Sequence, residues 1–417
     1  MKILTIHARE ILDSRGIPTI STEVELWSGD KGKGEVPSGA STGTSEVLEL
    51  RDEDGHVSKA VGNVNTVISE AIKERDFTSQ KDFDNFLIDL DGTTQKSKLG
   101  GNTILSCSMA FCRASANSLG LQLYEYFGMI YSDKDYNPET LRLPRPLILV
   151  LEGGKHGDWS TDIQEYMVVP KMDKFNSFAD AFKAGTDIFH SIKEILKDKG
   201  YSTGVGFEGA YAPKEIQSNK EAFDIIMEGI EKAGYKPGED FEIAIDVAAS
   251  EFYKDGKYML HRENKVLNSE EWMALQEEWY SQYPIFSVED IFDQEDWNTW
   301  DTFTAKYGEK YQIVGDDLLT TNVLRIQRAI DEKTVNSVLI KLNQIGTVTE
   351  TLDAIRLTVD NNMIAIISHR GGETNDDMIA DLVVGTPAQQ SKFGGPDRGE
   401  RLAKYNRLLE IEEILKR

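Results

Sequence analysis

Five short β-forming runs each end in one side chain able to do chemistry: FEIAI before Asp246, PIFSV before Glu289, YQIVG before Asp316, SVLI before Lys341 and MIAIIS before His369. A single acidic residue is solvated surface by default. Three at equivalent strand ends repel one another unless a cation holds them, and a donor set made only of oxygen points to a hard ion, Mg²⁺ first. The six histidines (His7, His56, His156, His190, His261 and His369) are scattered, with no HExxH or HxH pair, which argues against zinc. Lys341 reads in two ways. It is either a lysine snorkelling at a rim, or a general base whose ammonium sheds its proton more easily beside a divalent cation.

Glu208 lies in Gly204-Val-Gly-Phe-Glu-Gly209, which matches GxGxxG. No apolar strand precedes it and Pro213 follows where a helix should run, so a dinucleotide site is rejected in favour of a glycine-flexed loop presenting one carboxylate. Ser38-Gly-Ala-Ser-Thr-Gly43 is a small-residue loop, a plain turn or a mobile lid.

These residues need elements to hold them. The five strand ends are spaced by 43, 27, 25 and 28 residues, with helical segments between. One of these, Asn268 to Tyr280, opens on an Asn-Ser-Glu-Glu capping signal; the next carries Trp297, Trp300 and Tyr307 on one face and closes at Gly308. Strands alternating with helices at this interval predict parallel βαβ units. One functional residue per strand end suits a closed β/α barrel better than an open doubly wound sheet. Before the barrel, residues 1–27 read as two strands joined at Ser14-Arg15-Gly16, and 56–127 follow a helical period. The polar stretch from Tyr131 to Arg142 reads as a linker. The expected division is residues 1–137, a small N-terminal α+β domain carrying the lid loop, and 138–417, the barrel carrying the site. The last segment, Arg398 to Arg417, reads as an amphipathic helix.

Composition narrows the class. The 417 residues are 40% hydrophobic and 28% charged, an ordinary globular balance with room for two cores. A net charge of −25 argues against a phosphate-tracking nucleic-acid binder or a polybasic membrane surface, and any anionic ligand must meet locally concentrated cations. No run approaches a membrane span, and the first ten residues lack a signal-peptide core. Cys107 and Cys112 suit neither a bridge nor a metal pair, so a cytoplasmic protein with two buried thiols is expected.

Taken together, these blocks resemble one family. ILDSRGIPT (11–19), VPSGASTG (36–43), LDGTTQKSKLGGN (90–102), IQEYMVVP (163–170), IDVAASEFY (245–253), SVED (287–290), VGDDL (314–318), KLNQIGT (341–347), SHRGGET (368–374) and GERLAKYNRLLEIEE (399–413) are similar, in order, to enolases. The resemblance implies a homodimeric, Mg²⁺-dependent hydro-lyase interconverting 2-phosphoglycerate and phosphoenolpyruvate, with two ions per active site. It implies Asp246, Glu289 and Asp316 as ligands of the first ion, Ser41 of the lid as a ligand of the second, and Lys341 as the base. Glu208 matches the acid assisting water loss, Glu165 its carboxylate neighbour, and His369 a further catalytic group. His156, Arg370, Lys392 and Ser41 match groups around the substrate. A Lys or His base working with one or two Mg²⁺ ions is how this superfamily is generally described.

Departures from the family pattern cluster near the chemistry. Gly371 stands where SHRSGET has a serine, Phe207 replaces an aspartate, and Ala210 a glycine. Leu149, Glu152 and Trp159 stand at usual asparagines. Ala388-Gln-Gln-Ser391 and Phe393-Gly-Gly-Pro396 replace Thr-Gly-Gln-Ile and Thr-Gly-Ala-Pro. Two alternatives to the enolase reaction follow: a lyase of the superfamily acting on another carboxylate, or a paralog kept for binding. The intact lysine, Glu208 and three repelling carboxylates weigh against the second.

Overall fold

The computed structural model describes residues 1–39, 43, 45–73, 75–132 and 136–416. Strands β1 (Ile3–Leu12) and β2 (Pro18–Leu26) pair antiparallel, with Ile6 opposite Val24 and Leu12 opposite Pro18. Their reversal falls at Ser14-Arg15-Gly16, as the sequence predicts. Gly16 takes a φ of +73°, and the Asp13 carboxylate accepts the N–H groups of Arg15 (2.8 Å) and Ile17 (3.0 Å). β3 (Lys31–Glu35) completes the sheet. The buried helix Gly101–Ser118 packs so closely on it that a Cβ on Gly32 would stand 2.1 Å from the Ala110 carbonyl oxygen. Only glycine admits that approach. Cys107 and Cys112 lie inside this helix, unpaired, and burial pushes the Cys107 thiol up to about 12. Such thiols are inert.

The second region closes into an eight-stranded barrel. Its strands are β4 (Arg145–Glu152), β5 (Glu165–Pro170) and β6 (Phe241–Asp246), then, after three short strands β7 (Tyr253–Lys254), β8 (Lys257–Leu260) and β9 (Lys265–Leu267), β10 (Ile285–Glu289), β11 (Gln312–Gly315), β12 (Ser337–Ile340), β13 (Ile364–Ser368) and β14 (Gln390–Lys392). The order around the barrel is β10-β11-β12-β13-β14-β4-β5-β6, which excludes the open sheet. β7 to β9 form a separate antiparallel ribbon, and that insertion accounts for the long first interval of the sequence pattern.

The barrel is not parallel throughout, and here the structure departs from the βαβ expectation. β5 runs antiparallel to both β4 and β6. No helix lies between β4 and β5, so the chain simply turns back beside itself. Two helices, Phe178–Asp198 and Asn219–Lys232, then lie between β5 and β6.

The connecting helices start as their sequences predict. Asn268 and Glu271 form a reciprocal capping box on Ser269–Gln282, and Trp297–Tyr307 ends at Gly308. Trp272 and Trp300 are fully buried. The closing helix Gly399–Leu415 corresponds to the amphipathic segment read at the end of the chain. No helix among the described residues is long and apolar enough to cross a membrane.

Candidate active site

Register gathers acids at one mouth of the barrel. Glu165 pairs with both Glu152 and Asp246, and Asp246 with Glu289, so four acids from four neighbouring strands form one cross-strand row. β5 contributes its first residue because it runs the other way; its neighbours contribute their last. Asp316 stands just beyond β11, and its N–H donates to Asp290 Oδ1 at 3.0 Å, while that of Asp317 donates to Oδ2 at 2.7 Å. Asp290 is thereby committed to holding the 316–317 turn.

Three cations answer these charges. Lys392 ends β14, and its Nζ donates to Asp246 Oδ2 (2.9 Å) and Glu289 Oε1 (2.8 Å) and lies 3.2 Å from Glu165 Oε2. Burial alone would strip its proton, but the three carboxylates outweigh burial and hold it well above the usual lysine range. Lys341 pairs with Asp316, whose other oxygen accepts from Gln344 Nε2 at 2.9 Å. Burial opposes its charge too, yet Asp316 wins and its pKa is raised. The easier proton loss expected of Lys341 belongs to a site with a divalent cation beside it. Arg370 makes a two-point pair with Glu46, at 3.0 and 3.2 Å.

Glu208 lies between two imidazoles. Its Oε1 is 3.3 Å from His156 Nδ1, and its Oε2 is 3.2 Å from His369 Nε2. Burial opposes ionisation of Glu208, but His369 and His156 outweigh it and lower its pKa. Glu165 is pushed the opposite way, by burial and by Glu208, so the proton of this pair resides on Glu165. Burial and Arg401 hold His369 itself down to about 3 despite Glu208, so at neutral pH it supports Glu208 through its N–H and not through charge.

His156, Gln164, Glu165, Glu208, Asp246, Asp316, Lys341, His369, Arg370, Gly371 and Lys392 line one narrow cavity. His156 Nε2 and Gln164 Oε1 are buried there without a hydrogen-bond partner. Unsatisfied polar atoms converging on one space mark a binding site for a polar ligand. Ser41, the expected lid ligand, lies outside the described residues. The start of its loop is docked at the mouth: Ser38 and Gly372 exchange backbone hydrogen bonds at 2.7 and 2.9 Å.

Two family models match the chain: the enolase N-terminal domain over residues 3–127 and the enolase C-terminal TIM barrel domain over residues 140–417. The chain belongs to the enolase family. As an enolase-superfamily lyase it acts on a small molecule, and its barrel mouth offers groups able to hold a metal ion. Ligand atoms of Asp290, Asp316 and Asp317 lie within 4.8 Å of one another, as do those of His156, Glu165 and Glu208. Asp246 and Glu289 are bridged by Lys392 instead. An ammonium lodged between carboxylates shows that this cluster demands positive charge, and its all-oxygen donors fit Mg²⁺.

Several residues of this enolase-family site escape a reading of the sequence. Glu46 and Gln344 follow no strand, and Gln344 is recognisable only by standing three residues after Lys341. Arg401 is fully buried; it donates to His369 Nδ1 (2.7 Å) and to the carbonyls of Arg370 (2.6 Å), Phe207 (2.9 Å) and Gly371 (2.7 Å). In sequence it is one polar position of an amphipathic helix. Of the departures, Gly371 lines the cavity, and Phe207 stands half-exposed at its rim with its ring 6.3 Å from that of His156.

Proposed function

We propose that this protein dehydrates 2-phosphoglycerate to phosphoenolpyruvate in a Mg²⁺-dependent reaction, as a cytoplasmic homodimer. The observation that carries the reading is one cavity faced by an amine, Lys341, and by a carboxyl set between imidazoles, Glu208. Lys341 removes the C2 proton once Asp316 no longer holds its ammonium. Glu208 assists loss of the 3-hydroxyl as water, with the proton of the pair held on its neighbour Glu165 and with His369 beside them. Arg370, Lys392 and His156 bind the substrate's anionic ends, supplying the local positive charge that a chain of net charge −25 needs. Asp246, Glu289 and Asp316 would hold one Mg²⁺, and Ser41 would contribute to a second. Bound there, Mg²⁺ supplies electrostatic stabilisation for negative charge developing on the substrate carboxylate. Gly371 favours a second reading, the same acid–base pair acting on a carboxylate that lacks phosphate.

Purified protein given Mg²⁺ and 2-phosphoglycerate should form the enol double bond, followed by ultraviolet absorbance. Lys341→Ala should abolish both turnover and exchange of the C2 proton with deuterium. Glu208→Gln should block water loss while exchange survives. Equal loss of exchange in both variants would overturn the division of roles. No turnover by the wild type would point to another substrate.

A further inference from the structure

Glu152 is the one member of the cross-strand row that does not face the cavity lysines. Its carboxylate is buried beneath the 204–212 loop, where Oε1 accepts the N–H of Ala210 at 2.9 Å and both oxygens receive that of Glu208, at 3.1 and 3.3 Å. Among the described residues no lysine, arginine or histidine comes within 4.0 Å of it as an ion-pair partner. The loop lies directly on it: a Cβ on Gly206 would stand 2.4 Å from Glu152 Cδ. Other groups take the loop's carbonyls. Arg398 holds that of Gly206 (3.1 Å), Arg401 that of Phe207 (2.9 Å) and the Gly395 N–H that of Glu208 (2.8 Å). The amides on either side of Gly209 fall to Glu152 alone. An asparagine, the residue the family resemblance leads one to expect here, has one acceptor oxygen and no charge.

We propose that Glu152 is the positioning residue of the acid side of the site, anchoring the Glu208 loop through two backbone N–H groups and so setting the efficiency of the water-loss step. The inference rests on the dehydration proposed above. The charged and titratable groups around Glu152 are Glu208 on the loop, Arg401 and Arg398 from the closing helix and its cap, and His156 on the turn after β4. Burial and Glu208 push its carboxyl up to about 8, against the two N–H bonds and Arg401. The anchor therefore changes charge within the working pH range. Its ionised form is the stronger acceptor, and its charge raises the proton affinity of Glu208, which suits an acid.

Two measurements test this on the full chain. In Mg²⁺ with 2-phosphoglycerate, Glu152→Gln should lower kcat about tenfold to a hundredfold, the scale of a lost charge-assisted hydrogen bond, with KM little changed. C2 exchange should persist, and the rise of kcat through about pH 8 should vanish. Glu152→Asp, set back by one methylene but still titratable, should be impaired yet keep the rise. Independently of substrate, protein labelled with ¹⁵N-alanine and ¹⁵N-glutamate should show the Glu208 and Ala210 amides titrating together near pH 8, and not in Glu152→Gln. Glu208 and Ala210 amide shifts that Glu152→Gln leaves unchanged, or a Glu152→Gln enzyme with unchanged kcat, would overturn the anchor. A wild type that titrates as described but does not turn over 2-phosphoglycerate would sink the reaction and leave the anchor standing.

Discussion

Nη1 of Arg401 stands 2.7 Å from Nδ1 of His369. A guanidinium can only donate, so Nδ1 must accept and the imidazole carries its proton on Nε2, which faces Glu208. With burial and Arg401 holding His369 down to about 3, the ring should stay neutral from pH 5 to 8. Long-range ¹H–¹⁵N spectra should show an unprotonated Nδ1 throughout that range. A doubly protonated ring at pH 6 would contradict the assignment. Arg401→Met removes four bonds at once, and a loss of stability of about 3 kcal/mol or more should accompany any loss of rate.

The metal reading makes a separate demand. Glu289, pushed up by burial and by Asp246, and Asp316, held down by Lys341 against burial, show how unevenly this cluster shares its charge without an ion. Mg²⁺ at a hundred times its Kd should stabilise the protein by about 2.7 kcal/mol, seen as a higher Tm. Asp316→Asn should weaken Mg²⁺ binding by roughly tenfold to a hundredfold, at least the loss that follows removal of a ligand's outer partner. Full activity in excess chelator would end the metal hypothesis.

How much of this was legible in the sequence depends on the residue. Asp246, Glu289, Asp316 and Lys341 could be read because each ends a run of β-formers, and the barrel places strand ends at one mouth. Glu165 could not be read that way. It begins its strand, and side-chain periodicity is the same whichever way a strand runs. β14 went unread because Gln390–Lys392 contains no apolar run. The pairing of Lys341 with Asp316 is not legible, because the two lie 25 residues apart on separate strand ends. Arg401 looks like any charged residue of a surface helix until its four acceptors are visible.

Asp84 ties the two halves of the molecule together and should do so in a pH-dependent way. Its Oδ2 accepts the N–H (2.9 Å) and the hydroxyl (2.6 Å) of Thr349, in the first turn of the helix Val348–Asp360, and its Oδ1 accepts from Gln80 at 3.0 Å. Burial pushes its pKa from 3.8 to about 6 in spite of these bonds. The folded state thus binds the proton more tightly than the unfolded chain. Stability from this group is complete below about pH 4 and is lost as pH rises through 6, a change of about 3 kcal/mol. Urea unfolding of wild type and Asp84→Asn should therefore differ by amounts that shift by about 2–3 kcal/mol between pH 3.5 and 7. A constant difference would show that Asp84 titrates alike in the folded and unfolded chain.

Gly371 bears most directly on substrate choice. It lines the cavity between Arg370 and the Ser38 contact of Gly372, and its carbonyl is fixed by Arg401 Nη2 at 2.7 Å. Its backbone is not in the left-handed region, so a serine fits the conformation. In the enolases this chain resembles, a hydroxyl stands here; as a donor to a phosphate oxygen it contributes about 1.5–3 kcal/mol. Its absence should weaken phosphate binding about tenfold to a hundredfold. Gly371→Ser should then lower KM for 2-phosphoglycerate with kcat little changed, because a phosphate contact is made equally in ground and transition states. A water or the glycine N–H approaching the phosphate would supply the missing donor, and KM would then stay level or rise. Steady-state kinetics of this one variant separate the two outcomes. If neither wild type nor variant turns over 2-phosphoglycerate, the lost hydroxyl marks a site that handles a carboxylate without phosphate.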